Sequence, residues 1–209
     1  MSRLVAFLCA FALCNAFGQP NATSFYEGLE RQYEQLLRVY VAGGVCPSRN
    51  PEVIQRQQAL ARALSAATPS TGPRVLLFAV TANSLENVRR LNEAGASRIG
   101  DNGSLLHAAT RFADPPLLAY LTGIGFGLED LGGASGPALM VAVTGNRMDN
   151  ARWLIDHGAS VNATDTAGGS VLRHSLVCND QDVVGFLMEA GAVPDAKTIE
   201  VARKLGLRL

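Results

Sequence analysis

The chain has 209 residues, with 18 basic and 18 acidic side chains, so its formal charge at neutral pH is zero. That balance removes the electrostatic ground for a nucleic-acid or anionic-membrane binder. Apolar residues make up 48% and aromatics only 6%, a composition for one folded domain of Ala, Leu, Val and Gly behind a leader.

The leader comes first. Arg3 supplies a positive start, and Leu4 to Leu13 form an apolar run too short to span a bilayer. Ala16 and Gly18 are small residues placed for cleavage before Gln19, with cleavage after Ala16 as the alternative. Leu13 before Cys14 is bulky where a lipoprotein signal carries a small residue, so lipidation is not expected. Removal of residues 1–18 leaves two cysteines, Cys46 and Cys178. Export would allow them to pair, but two cysteines make no framework, and two unlinked thiols are the expectation.

Residues 19–68 read as a helical hairpin. Ser24 is placed to cap a helix from Phe25 to Ala42, with Leu29, Tyr33, Leu36, Leu37 and Tyr40 at helical spacing. Gly43-Gly44 ends it. Asn50 caps a second helix with Pro51 at its first position, running to about Ala67 with Val53, Ile54, Ala59, Leu60, Ala63 and Leu64 on one side. The simplest role for this hairpin is to cover the first unit of a repeat array that begins at residue 69.

From that residue the chain repeats itself. Glycines at 95, 125, 158 and 191 close four similar stretches, at steps of 30, 33 and 33 residues. A small residue stands 16 positions before each: Ala79, Ala109, Ala142 and Ser175. That distance holds two short helices and a turn, and self-similarity at this period marks a stacked array. Gly158 suits the left-handed position that closes a helix. Distances across the extended fingers vary, as a solenoid tolerates. Lys197 to Leu209 reads as a terminal helix with Ile199, Val201, Ala202 and Leu205 facing the stack.

Gly103-Ser104-Leu105-Leu106-His107-Ala108-Ala109 is similar to the G-x-T-P-L-H-x-A motif of ankyrin repeats, and His157-Gly158-Ala159-Ser160-Val161-Asn162-Ala163 to their H-G-A-D-V-N-A. Glu86, Asp149 and Asp182 stand at the acidic position that opens the second helix of each unit. The resemblance covers about residues 69–209. Thr-Pro is replaced by Pro137-Ala138 in one unit and by Ser170-Val171 in another. It implies an all-α solenoid of about four repeats plus a terminal helix, and a protein that binds other proteins.

Nothing assembles an active site. His107 fits the slot where the family uses imidazole for internal hydrogen bonds; His157 is placed to meet the last carbonyls of its helix; His174, beside Arg173, is placed to face a partner. No two histidines share metal-site spacing, so neither metal nor cofactor is expected. Gly132-Gly133-Ala134-Ser135-Gly136 lacks the strand that a nucleophile elbow needs, and Gly123 to Gly127 follows a helix where a phosphate loop follows a strand. Asp101, Asp130 and Asp165 read as local turn caps, and Arg89, Arg90 and Arg152 as solvated charge on outer helices.

What remains is a surface. By the register of the family, the concave face carries Thr81, Ala82, Arg111, Phe112, Thr144, Gly145, Val177 and Cys178, and the fingers carry Arg98, Asp101, Asn102, Thr166 and Arg173. Arg111 and Phe112 stand out because Arg and aromatic side chains dominate interface hot spots. The leader adds export, to a periplasm by preference and to the medium otherwise, with no stable membrane anchor once it is removed. The partner expected is another protein, a secreted toxin or periplasmic enzyme that the chain neutralises. An envelope scaffold or an oxidative-stress accessory protein is the alternative.

Overall fold

The computed structural model describes residues 22–43, 50–98, 105–130 and 136–209. Helix α1 spans Ala22–Ala42. Leu29, Tyr33 and Leu36 repeat at helical spacing and are buried together. Ser24 lies inside this helix and not at its cap. Helix α2 spans Pro51–Leu64, with Asn50 as N-cap and Pro51 at the first position. The cap is direct: the Glu52 N–H donates to Asn50 Oδ1 at 2.9 Å. Gln57, Leu60 and Leu64 form the buried face of α2, while Ile54, expected to point inward, is 40% exposed.

Beyond the hairpin stand four helix pairs. They are α3 (Val75–Thr81) with α4 (Leu85–Glu93), α5 (Leu105–Phe112) with α6 (Pro115–Gly123), α7 (Ala138–Thr144) with α8 (Met148–Asp156), and α9 (Val171–Ser175) with α10 (Gln181–Glu189). Helix α11 (Ala196–Leu205) ends the chain's regular structure. The inner helices α3, α5, α7, α9 and α11 pack side by side in that order. Ala79, Ala109, Ala142 and Ser175, one on each of the first four inner helices, are fully buried in this row. A larger side chain there would push two helices apart. The described residues contain helices and one isolated bridge but no strand, as an all-α solenoid requires.

The glycine period is a backbone period. Gly95, Gly125, Gly158 and Gly191 have φ of 87°, 104°, 96° and 93°. At Gly158 the turn is closed by Gly158 N–H to Ile155 O (3.0 Å) and Ala159 N–H to Leu154 O (2.9 Å), which satisfies carbonyls the helix end leaves open. A second period, not expected from the sequence, belongs to asparagine. Asn83, Asn146 and Asn179 adopt φ of 53°, 49° and 47° at the turn between inner and outer helix. Asparagine tolerates that region better than other residues with a side chain.

The hairpin is more than an end cap. Tyr26 and Tyr33 of α1 pack on Phe78 of α3, with ring centroids 5.8 and 4.9 Å apart. Further along α1, Tyr40 meets Phe112 of α5 edge-on at 4.8 Å. Helix α1 therefore runs across the inner-helix row from the first unit to the second. Gln57 of α2, buried, donates to Thr81 O (2.9 Å) and Phe112 O (2.6 Å), tying the same two units together. Arg90 is not solvated charge: it donates to Ala67 O (2.6 Å) and Leu64 O (2.8 Å) at the end of α2. Arg89 and Arg152 stack over Tyr120 and Phe186 at 5.4 and 4.8 Å. All of this belongs to one continuous core.

Two further expectations change. Cys178 is disulfide-bonded and not a free thiol; the other three cysteines, Cys9, Cys14 and Cys46, lie outside the described residues. In α11 only Thr198 and Ala202 are buried. Ile199, Val201 and Leu205, expected to face the stack, are 51%, 37% and 43% exposed. Among the described residues no helix is long and apolar enough to cross a membrane.

Candidate partner-binding face

The residues expected to meet a partner sit in three different situations. Asp101 and Asn102 lie outside the described residues. Arg98 is exposed but bridges units, donating from Nε to Asn92 Oδ1 (2.9 Å) and from a terminal nitrogen to Ile124 O (3.3 Å). Thr144 turns its hydroxyl back to Met140 O at 2.8 Å. Arg173 pairs at 3.9 Å with Asp195, the N-cap of α11. Cys178 sits with its sulfur 3.6 Å from Val143 O and Thr144 O. Thr166 is exposed at the tip of a finger.

Phe112 and Arg111 part company. Phe112 is only 7% exposed, under the Tyr40 ring. Arg111, one residue earlier on α5, is exposed and has no ion pair or side-chain hydrogen bond among the described residues. The hairpin thus takes the apolar half of this expected hot spot and leaves the cationic half to solvent.

Arg111 stands at the rim of a cleft of about 220 Å³ between the hairpin and the turns of the first three units. Val53, Ile54 and Phe112 supply its apolar wall, and Tyr40, Arg111 and Arg147 its polar one. Arg147 is committed, donating to Ala113 O and lying 3.1 Å from Asp114 Oδ1. Asn83 donates to the other oxygen of Asp114 at 2.9 Å, and its own carbonyl accepts from the Asp114 N–H at 3.1 Å. Burial pushes the Tyr40 phenol above its ordinary value, and the positive charges of Arg111 and Arg147 pull it part of the way back. Both guanidinium groups therefore bear on the Tyr40 side chain.

The described finger after α8 is self-contained. Thr164 and Ser170 form an antiparallel bridge. Asp165 Oδ1 accepts from the N–H groups of Ala167 (2.8 Å) and Gly169 (2.6 Å), and its Oδ2 lies 2.6 Å from His174 Nε2. The Gly169 N–H, followed by the His174 imidazole, holds the Asp165 carboxyl below the usual carboxylate range. His174 is thereby spent inside the fold, not offered to a partner. His107 and His157 are also internal: His107 Nε2 lies 2.8 Å from Gly136 O, and His157 Nδ1 lies 2.7 Å from Trp153 O with the two rings stacked at 3.9 Å. Asp130 caps its own turn, accepting from the Gly127 N–H at 3.0 Å.

Two polar side chains, Glu129 and Asn162, also link one unit to the next among the described residues. Glu129 accepts from the Ser160 N–H at 2.8 Å, and Asn162 accepts from the Val193 N–H at 2.8 Å while donating to Gly191 O at 3.1 Å. Glu129 and Asn162 each stand four residues after a period glycine, and that shared spacing is the sequence signal that could have found them. Among the described residues no three His, Cys, Asp or Glu side chains gather as a metal site.

No curated protein matches the chain. Residues 105–198, from the start of α5 into α11, match the family model for ankyrin repeats in three copies, so this part of the helix-pair stack is similar to ankyrin repeats and is a protein–protein interaction module.

Proposed function

We propose that the chain is an exported, non-catalytic binding module that neutralises a toxic exported protein or enzyme by holding it against the ankyrin-like stack. The observation that carries this reading is how the polar side chains of the stack are used. His107, His157, His174, Asp130, Asp165 and Arg90 all serve internal hydrogen bonds, which leaves a rigid surface with Arg111 and Thr166 exposed on it. Export is supported by the leader at residues 1–18 and by the disulfide at Cys178, a bond that persists in oxidising compartments such as the periplasm.

The test is genetic. Deletion should sensitise cells to one toxic partner, the full chain should restore resistance, and residues 19–209 made without the leader should not. Equal rescue by the leaderless chain would overturn export. Loss of envelope integrity with no partner-specific sensitivity would overturn neutralisation in favour of a scaffold.

A further inference from the structure

We infer that the cleft at Arg111 receives an acidic side chain of the protein partner together with an apolar neighbour. This rests on the protein-binding reading above and adds the chemistry of the contact.

The charge argument comes first. Of the charged side chains that line the cleft, Asp114 has both oxygens engaged, one by Arg147 and one by Asn83. Arg147 is likewise held by Asp114 and by Ala113 O. Arg111 has no such balance among the described residues, so the lining carries one uncompensated positive charge. A guanidinium beside a concave surface of low dielectric attracts anions more strongly than one on an open surface, and its fork matches a carboxylate.

The walls decide what accompanies the charge. Ile54 is 40% exposed although it is aliphatic, and with Val53 it forms an apolar wall beside Arg111. Tyr40 adds a phenol between the apolar and cationic sides, a residue type suited to surfaces dry at one end and wet at the other. One free positive charge matches a carboxylate better than a dianionic phosphate, whose second charge would meet Asp114. A cleft of about 220 Å³ holds a side chain or two, smaller than the range typical of drug-sized ligand pockets.

The walls are preorganised. Phe112 is pinned by Tyr40, Gln57 by two carbonyls, and the Asn83–Asp114–Arg147 chain crosses three units. Arg111, with no ion pair or side-chain hydrogen bond among the described residues, keeps its guanidinium open to a partner.

The experiment is a titration of the full mature chain, followed by heteronuclear NMR, with N-acetyl-Leu-Glu-amide, N-acetyl-Leu-Gln-amide and inorganic phosphate as separate probes. The Glu peptide should shift resonances of Tyr40, Ile54 and Arg111, with the Gln peptide about tenfold weaker or more. Arg111→Gln should lose the Glu peptide's effect while keeping the parent's melting temperature, since Arg111 makes no bond within the described fold. Absence of shifts, equal response to both peptides, phosphate binding more tightly than the Glu peptide, or unchanged binding by Arg111→Gln would each overturn the inference. Capture of a partner from envelope extract separates the two claims. A partner held equally by the parent and by Arg111→Glu refutes the cleft and leaves the binding reading standing, whereas no partner for the parent refutes the binding reading itself.

Discussion

Truncation of Phe112 to alanine separates two pictures of this protein. If the ring were an exposed anchor waiting for a partner, Phe112→Ala would change stability by no more than about 0.5 kcal/mol, as surface substitutions do. The structure buries it to 7% exposure, packs Tyr40 edge-on at 4.8 Å and uses its carbonyl to hold Gln57. Removal of a buried phenylalanine ring costs about 3–5 kcal/mol. Because this ring borders a cleft that admits water, the lower end, about 3 kcal/mol, is expected. Equilibrium urea unfolding of the disulfide-intact chain, followed by circular dichroism, measures it. A double-mutant cycle with Tyr40→Ala then isolates the ring–ring contact, for which about 0.5–1.5 kcal/mol of coupling is expected. A loss below about 1 kcal/mol with no coupling would refute the claim that α1 lies across the inner helices.

Three other outcomes rest on the same packing. Arg90→Ala should destabilise by about 1–3 kcal/mol, because Ala67 O and Leu64 O lose a charged donor at the junction of hairpin and stack; an unchanged urea midpoint would return Arg90 to solvated charge. The Asp165 carboxyl has its folded value lowered from 3.8, first by the Gly169 N–H and then by His174. Its stabilising contribution is therefore complete above the unfolded value and lost as pH falls through the lower folded one, so a pH series of urea midpoints should show a smaller drop between about pH 5 and pH 2 for Asp165→Asn than for the parent. Non-reducing peptide mapping should find Cys178 joined to another cysteine of the chain, and to Cys46 if residues 1–18 are removed as proposed. Cys178→Ser should then cost about 2–4 kcal/mol, and a Cys178 that alkylates without prior reduction would contradict the bond.

The parts of the fold that were legible in the sequence are those set by local backbone constraint. A glycine with φ near 90° must follow each outer helix, and a small residue must sit where inner helices touch, so both recur in phase at 95, 125, 158 and 191 and at 79, 109, 142 and 175. Asn83, Asn146 and Asn179 obey the same logic at the inner turn, and Ala113 in the second unit breaks their series in the sequence. The position of the hairpin was not legible. It depends on contacts between segments that share no repeat, such as Gln57 with Phe112, and nothing in the spacing of α1 says which surface its aromatic face will meet. That one placement accounts for most of the differences at the site. It buries Phe112, makes Arg90 a clamp and leaves Arg111 alone at the rim of a cleft.

The central claim is that this stack exists to hold one other protein. Its most direct test is affinity capture from envelope extract with residues 19–209 in the oxidised state, then mass spectrometry and a titration of the captured protein's activity. One stoichiometric partner whose activity falls as the chain is added is the result expected. An extract that yields no saturable partner, or a partner whose activity is untouched at full occupancy, would contradict the account.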